Sequence, residues 1–174
     1  LLVAPSPLKA PISPFKPWGM SQRLIRATIN DFANAATLSR EAGYDGVEIM
    51  GSEGYLINQF IAPRTNKRTD DWGGSFENRI RFPLDIMRKV REKTGNDFII
   101  IFRVSMLDLV ENGSTWDEVE QLAHALESEP EALVVEDLVR TELNRYLERL
   151  HRVLVATQPV ERDPLHLGCR PVER

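Results

Sequence analysis

The sequence predicts an α/β fold built on a parallel sheet, and three observations carry that prediction. Segments with helical apolar spacing alternate with short β-type runs, in the order helix, strand, helix, strand, helix. One run, "FIIIFRVS" at 98–105, holds consecutive apolar residues rich in β-branched and aromatic types, which suits a strand buried on both faces. The first two helical patterns stop at glycines, Gly43 and Gly95, which end helices at little steric cost.

Each element follows from its residues. The first twenty positions carry five prolines, Pro5, Pro7, Pro11, Pro14 and Pro17, so they read as an extended connector poor in hydrogen bonds. From about Arg23 to Glu41, Ile25, Ile29, Phe32 and Ala36 recur at spacings of four, three and four, one face of a helix. "VEIM" at 47–50 reads as a strand, and residues 51–74 as a long polar loop with neither a two-residue nor a helical period. "SFENRIRFPLDIMRKVREKTG" predicts a helix burying Ile80, Leu84, Met87 and Val90, with Pro83 implying a kink near residue 79 or a late start. "GSTWDEVEQLAHALE" has Thr115 and Glu118 at capping-box spacing and an apolar face of Val119, Leu122, Ala123 and Leu126. Beyond it, "EALVV" at 131–135 suits a third strand, and Leu143, Leu147, Leu150 and Leu154 suggest a helix over 138–155.

Composition narrows the function. The 174 residues, 42% hydrophobic and 28% charged, are ordinary for a soluble globular chain. With net charge −4 and no basic cluster free of acids, nucleic acid is not an expected partner. The one cysteine, Cys169, cannot alone build a zinc or iron–sulfur site, and no metal site is expected. No apolar run approaches the ~20 residues that span a bilayer, so a cytoplasmic location is expected. The chain opens on Leu rather than Met, which places the expected start of the protein upstream.

In parallel α/β folds, chemistry gathers where the chain leaves the C-terminal end of a strand. Tyr55 follows the strand 47–50 within one loop turn, and Arg103 ends the apolar run 98–102. A phenol is protonated at neutral pH and can donate a proton to a developing carbanion. A guanidinium keeps its charge and can stabilise a buried anion. Spacing alone leaves other readings open: Tyr55 as a packing anchor, Arg103 as a salt-bridge partner, Glu48 as an outward strand position, His124 as a surface or core-rim residue.

"AGYDGVEIMGSEGYLINQFIAPRTNKRTDDWGGSFENRIRF" closely resembles the flavin barrel of the Old Yellow Enzyme family. The shared pattern is Gly54-Tyr55-Leu56, Gln59-Phe60, Asn66, Arg68-Thr69-Asp70 and Gly73-Gly74-Ser75 with Glu77-Asn78-Arg79. Together with "SPLKAPI" and "GNDFIIIFRVSMLDLVE", "MGSEGYLINQF" resembles the bacterial 2,4-dienoyl-CoA reductase branch. Many relatives carry histidine in place of Ser52 or Glu53, a departure that argues against the generic enone reductases. The resemblance covers about residues 3–127.

The resemblance implies an FMN-binding (β/α)₈ TIM barrel acting on a small-molecule acyl-CoA substrate. It implies Tyr55 as the proton donor after hydride leaves reduced FMN, Arg103 as the residue touching the FMN ring, and Arg64 as a thioester contact. The run Gly73 to Arg79 is expected to build the loop and cap the following helix. A full barrel needs eight strands in about 250 residues. About three βα units are legible, so the expectation is a partial, incomplete barrel over 1–127 and a non-matching tail over 128–174, a helical stretch with a disordered end. FAD, an iron–sulfur cluster and NADPH would serve the parent enzyme through regions absent from the chain. The sequence thus reads as a fragment of a larger flavoenzyme, inactive by itself and prone to oligomerise or aggregate through exposed sheet edges. The competing class is a truncated or fused non-enzymatic interaction module.

Overall fold

The computed structural model describes residues 2–11, 13–106, 108 and 110–128. In chain order the elements are β1 (Val3–Ala4), β2 (Trp18–Gly19), α1 (Gln22–Glu41), β3 (Gly46–Gly51), α2 (Leu56–Ile61), α3 (Phe76–Thr94), β4 (Ile99–Val104) and α4 (Trp116–Glu127). β3 and β4 pair in parallel from Gly46↔Ile99 to Gly51↔Val104, joined through α2 and α3. The fold is therefore a partial, open (β/α) barrel. The expected strand at 131–135 and helix at 138–155 lie outside the described residues.

The helices form where their caps and apolar stripes demand. Ser21 caps α1 by accepting from Leu24 N at 3.2 Å, and Ile25, Ile29, Ala33 and Ala36 form its buried face. Phe32, expected in that face, is only partly buried at its edge. Ser75 caps α3 by accepting from Asn78 N at 3.4 Å. The late start does not occur: α3 begins at Phe76 and runs through Pro83 to Thr94. Pro83 lacks the N–H that would bond the Arg79 carbonyl, a cost offset by its complete burial in the core. In α4 both halves of the capping box are formed, and Val119, Leu122, Ala123 and Leu126 are buried.

Three further expectations are corrected. The proline-rich start is not all connector, because Val3–Ala4 pair in parallel with Trp18–Gly19. Both strands are two residues long and leave the prolines between or beside them, so no ladder donor is lost. The polar segment 51–74 contains α2, whose Leu56, Ile57, Phe60 and Ile61 repeat at helical spacing over less than two turns. Finally, β4 is not buried on both faces. Ile100 and Phe102 are 1% and 2% exposed, whereas Ile99 is 41% exposed and Arg103 is exposed beside it. Among the described residues β4 pairs only with β3, and the helices cover one side of that pair, so alternation separates a buried face from an open one.

The core lies between the covered face and the helices. Phe60 of α2 stacks on Phe82 of α3 at 4.2 Å between ring centroids, and Trp72 meets Phe82 edge-on at 6.5 Å. Burying each aromatic ring contributes about 1.5–3 kcal/mol, with roughly 0.5–1.5 kcal/mol more for a paired ring. At Gly51 an added Cβ would overlap the Phe102 ring, so glycine there lets the strand end close over the core. Among the described residues no helix is long and apolar enough to cross a membrane.

Candidate active site

Because β3 and β4 are parallel and in register to their last residues, the segments that leave them emerge at one edge. The first is a tight turn. Glu53 and Gly54 have φ of 60° and 75°, and the Tyr55 N–H closes the turn on the Ser52 carbonyl at 3.2 Å. Left-handed geometry is costly for a glutamate, and neighbouring bonds hold it. The Glu53 N–H donates to Ser105 Oγ beyond β4 at 3.1 Å, and the Gly54 N–H donates to Asn58 Oδ1 at 2.7 Å. Gln59 Nε2 donates back to the Gly54 carbonyl at 2.7 Å. The Glu53–Ser105 bond ties the two exits together.

Tyr55 is the N-cap residue of α2, with extended φ and ψ of −73° and 176° and no capping bond from its side chain. Asn58 Oδ1 accepts the Gly54 N–H of the turn, and the phenol makes no capping bond. Tyr55 is 57% exposed.

Arg103 stands on the open face of β4. Its Nε and Nη2 donate to the two carboxylate oxygens of Glu48 on β3, at 2.7 and 3.0 Å. Glu48 is therefore an outward position, as alternation suggests, and also the partner of a candidate site residue. The Arg103 hydrogen bond holds the Glu48 carboxyl below its ordinary range, and Glu48 in turn raises Arg103. The Glu53 carboxylate adds a smaller field of the same sign on Arg103.

Arg64 lies elsewhere on the same side. Its Nη1 donates to the Glu111 carbonyl at 2.9 Å, and it lines a cleft of about 440 Å³ with Glu53, Asn58, Ser105 and Asp108. The cleft runs between the start of α2 and the segment after β4. Neither Tyr55 nor Arg103 lines it, but each is within two residues of one that does, Gly54 and Ser105. The structure thus places Arg64 in the cleft, Tyr55 on the turn beside it and Arg103 on the adjoining sheet face. His124 is at the surface, 3.2 Å from Glu127.

The motif from Asn66 to Arg79 forms a scaffold. Asn66 is buried and donates to the carbonyls of Phe60 and Trp72 at 2.7 and 2.8 Å. Arg68 bonds both oxygens of Asp70 and also the carbonyls of Pro5 and Met20, at 2.9 and 2.6 Å. A Cβ on Gly73 would come 2.5 Å from Arg68 Cβ and 2.7 Å from Asn66 Oδ1, so only glycine fits that crossing. Arg79, buried at the start of α3, donates to the Ile61 carbonyl and pairs with Glu118 of α4.

Sequence reading missed Glu48 as the partner of Arg103, along with Asn58 and Ser105. The Glu48 pairing depends on strand register, which no local spacing encodes. Asn58 had a signal, since it lies four residues after Gly54 at the start of a helical repeat.

The chemistry of these residues fits the ring of an FMN. A guanidinium has five N–H donors, and the two bonds to Glu48 leave three. Its register partner Met50, 36% exposed, offers an apolar surface on the same face. A planar ring that accepts hydrogen bonds at its edge and becomes anionic when reduced matches that combination.

Comparison with known proteins identifies the family. The model of the NADH:flavin oxidoreductase / NADH oxidase family matches residues 4–154. The chain is 45% identical over 125 residues to the NADH oxidase of Thermoanaerobacter brockii and 41% identical over 125 residues to a metal reductase of Desulforamulus reducens. Each alignment covers 72% of this chain and 19% of the relative, so the chain spans about a fifth of the length of these curated relatives. A solved 2-naphthoyl-CoA reductase in complex with 2-naphthoyl-CoA superposes with a TM-score of 0.70 at 36% identity, covering 72% of this chain and 19% of that one. With the fold, the motif scaffold and the family match in agreement, the chain belongs to the NADH:flavin oxidoreductase / NADH oxidase family.

Proposed function

We propose that this chain forms part of an FMN-dependent reductase acting on electron-poor CoA thioesters, with a 2,4-dienoyl-CoA as substrate. The observation that carries the reading is the single edge at which β3 and β4 end. There the Tyr55 turn and the segment after Arg103 are joined by the Glu53–Ser105 hydrogen bond. The 2-naphthoyl-CoA bound to the solved relative supports a thioester substrate. When bound, FMN supplies the electrons of the reduction as hydride.

The chain's own residues supply the rest. Tyr55, exposed on its turn, donates its phenolic proton to the substrate carbon that gathers negative charge. Arg103 presents its remaining N–H groups to the ring and favours the anionic reduced state. Arg64, in the cleft beside the turn, contacts the thioester. NADPH is the proposed electron source, delivered through FAD and an iron–sulfur cluster held outside the described residues. Among the described residues nothing covers the open face of β3 and β4, and the chain by itself is proposed to hold FMN poorly and to be inactive.

Replacing Tyr55 with Phe in the holoenzyme tests the reading. Turnover of a 2,4-dienoyl-CoA should fall by roughly one to four orders of magnitude, the range for losing a positioned general acid, while FMN stays bound and reducible. Unchanged turnover would remove Tyr55 from the chemistry.

A further inference from the structure

Sheet register does not make Glu48 and Arg103 direct neighbours. Glu48 is opposite Ile101, and Arg103 is opposite Met50, so the two side chains reach each other diagonally across the open face. They nevertheless meet in a two-point contact, Nε to Oε1 at 2.7 Å and Nη2 to Oε2 at 3.0 Å. Such fork-to-fork geometry fixes the plane of the guanidinium as well as its position. It also spends one edge of the fork and leaves the other free. A surface pair of this kind, with side chains 50% and 38% exposed, adds little to stability. Its place in the fold is more informative, since it lies on the face that α1 and α3 leave open, with Arg103 one residue from the end of β4.

We propose that Glu48 is a positioning residue that sets the reduction potential of the bound flavin: its carboxylate aims the free edge of Arg103 at the ring and offsets part of the guanidinium's charge. The inference rests on the reading that FMN lies against Arg103. A lone cation there would favour the reduced, anionic ring strongly, raising its potential. With Glu48 bonded to the guanidinium, and Glu53 adding to the local negative field, that preference is held down. The two members of the pair should therefore push the potential in opposite directions.

The experiment is a redox titration of FMN in the purified holoenzyme, comparing wild type with Glu48→Gln, Glu48→Asp and Arg103→Ala, with flavin content measured for each. Glu48→Gln keeps one acceptor but removes the charge. It should shift the balance toward reduced flavin by about tenfold, an upward move of about 30 mV for a two-electron couple. Glu48→Asp keeps the charge and should stay within about threefold of wild type, and Arg103→Ala should move the potential downward. If Glu48→Gln leaves the potential unchanged, or lowers it, while Arg103→Ala still lowers it, the role given to Glu48 is wrong and the FMN reading stands. An upward shift for Glu48→Asp equal to that for Gln would likewise overturn the charge role. A purified wild-type enzyme that carries no FMN would overturn the functional reading itself, and this inference with it.

Discussion

Two regions of the chain contrast in how their side chains are held. From Asn66 to Arg79, buried and partly buried amides and guanidiniums bond backbone carbonyls from four separate parts of the chain. On the open face of β3 and β4 and in the turn beyond it, Glu48, Arg103 and Tyr55 stand in or near solvent, with a side-chain ion pair and a few turn bonds around them. The first region is the most recognisable as sequence, yet its residues build rather than react. The lesson is that motif specificity reports structural constraint: a buried arginine tolerates little change because an unmatched partner is costly, whereas packing places no such demand on an exposed phenol.

That contrast should show as a division of effects. The largest loss of stability is expected at Glu118, whose carboxylate pairs with Arg79 and also accepts the Thr115 N–H at 3.3 Å. Glu118→Ala strands a guanidinium whose side chain is 5% exposed and opens the capping box, and should cost about 3–5 kcal/mol by urea denaturation. A loss below about 1 kcal/mol would mean that the scaffold is not held by this pair.

Gly73→Ala comes next. The new methyl must displace Arg68 or Asn66, and overpacking of that kind costs about 1–3 kcal/mol, visible as a lower melting temperature. Asp70→Asn should cost somewhat less and carry a pH signature. The Arg68 hydrogen bonds hold the Asp70 carboxyl below its ordinary value, so the folded form binds its proton less readily than the unfolded form. The stabilisation is thus fully present above the unfolded value, about pH 3.9, and disappears as pH falls through the lowered folded value. Charged hydrogen bonds are worth about 1.5–3 kcal/mol, and a side chain 30% exposed belongs at the lower end. Denaturation curves at pH 7 should separate the proteins, and curves well below pH 3 should bring them together. A gap that persists in acid would assign it to packing.

The smallest stability change sharpens the contrast most. Tyr55→Phe should move the unfolding free energy by no more than about 0.5 kcal/mol, because the ring is largely exposed and caps nothing. A loss of several kcal/mol would make Tyr55 part of the scaffold and explain any loss of turnover without proton donation.

The sequence made some of this legible and not the rest, for reasons that differ by residue. The face of α4 was readable because Thr115, Glu118 and four apolar positions give the same answer at two levels, cap and period. The short helix α2 was hidden by its brevity: its repeat spans less than two turns, and its N-cap is a tyrosine rather than a residue that signals a start. The two-sided burial expected of β4 failed because a run of isoleucines records hydrophobicity but not which neighbours cover each side. Tyr55 and Arg103 were legible as positions beside strand ends, and Arg64 only through the family resemblance. Their separation into turn, cleft and open face, and the reach of Glu48 across the sheet, required the register of two strands more than fifty residues apart in sequence.

The Arg68 side chain has one more consequence. By bonding the carbonyls of Pro5, just after β1, and Met20, just after β2, it fastens the chain at both short strands from a point outside the segment that joins them. The ends of the loop are thereby fixed independently of its middle, so its length is nearly free to vary. Doubling a closed loop adds only about 0.6 kcal/mol of closure entropy. The exposed stretch around Lys9 and Ala10 is thus a place where evolution, or an experimenter inserting a tag, can add residues without disturbing the strand ends that carry the site.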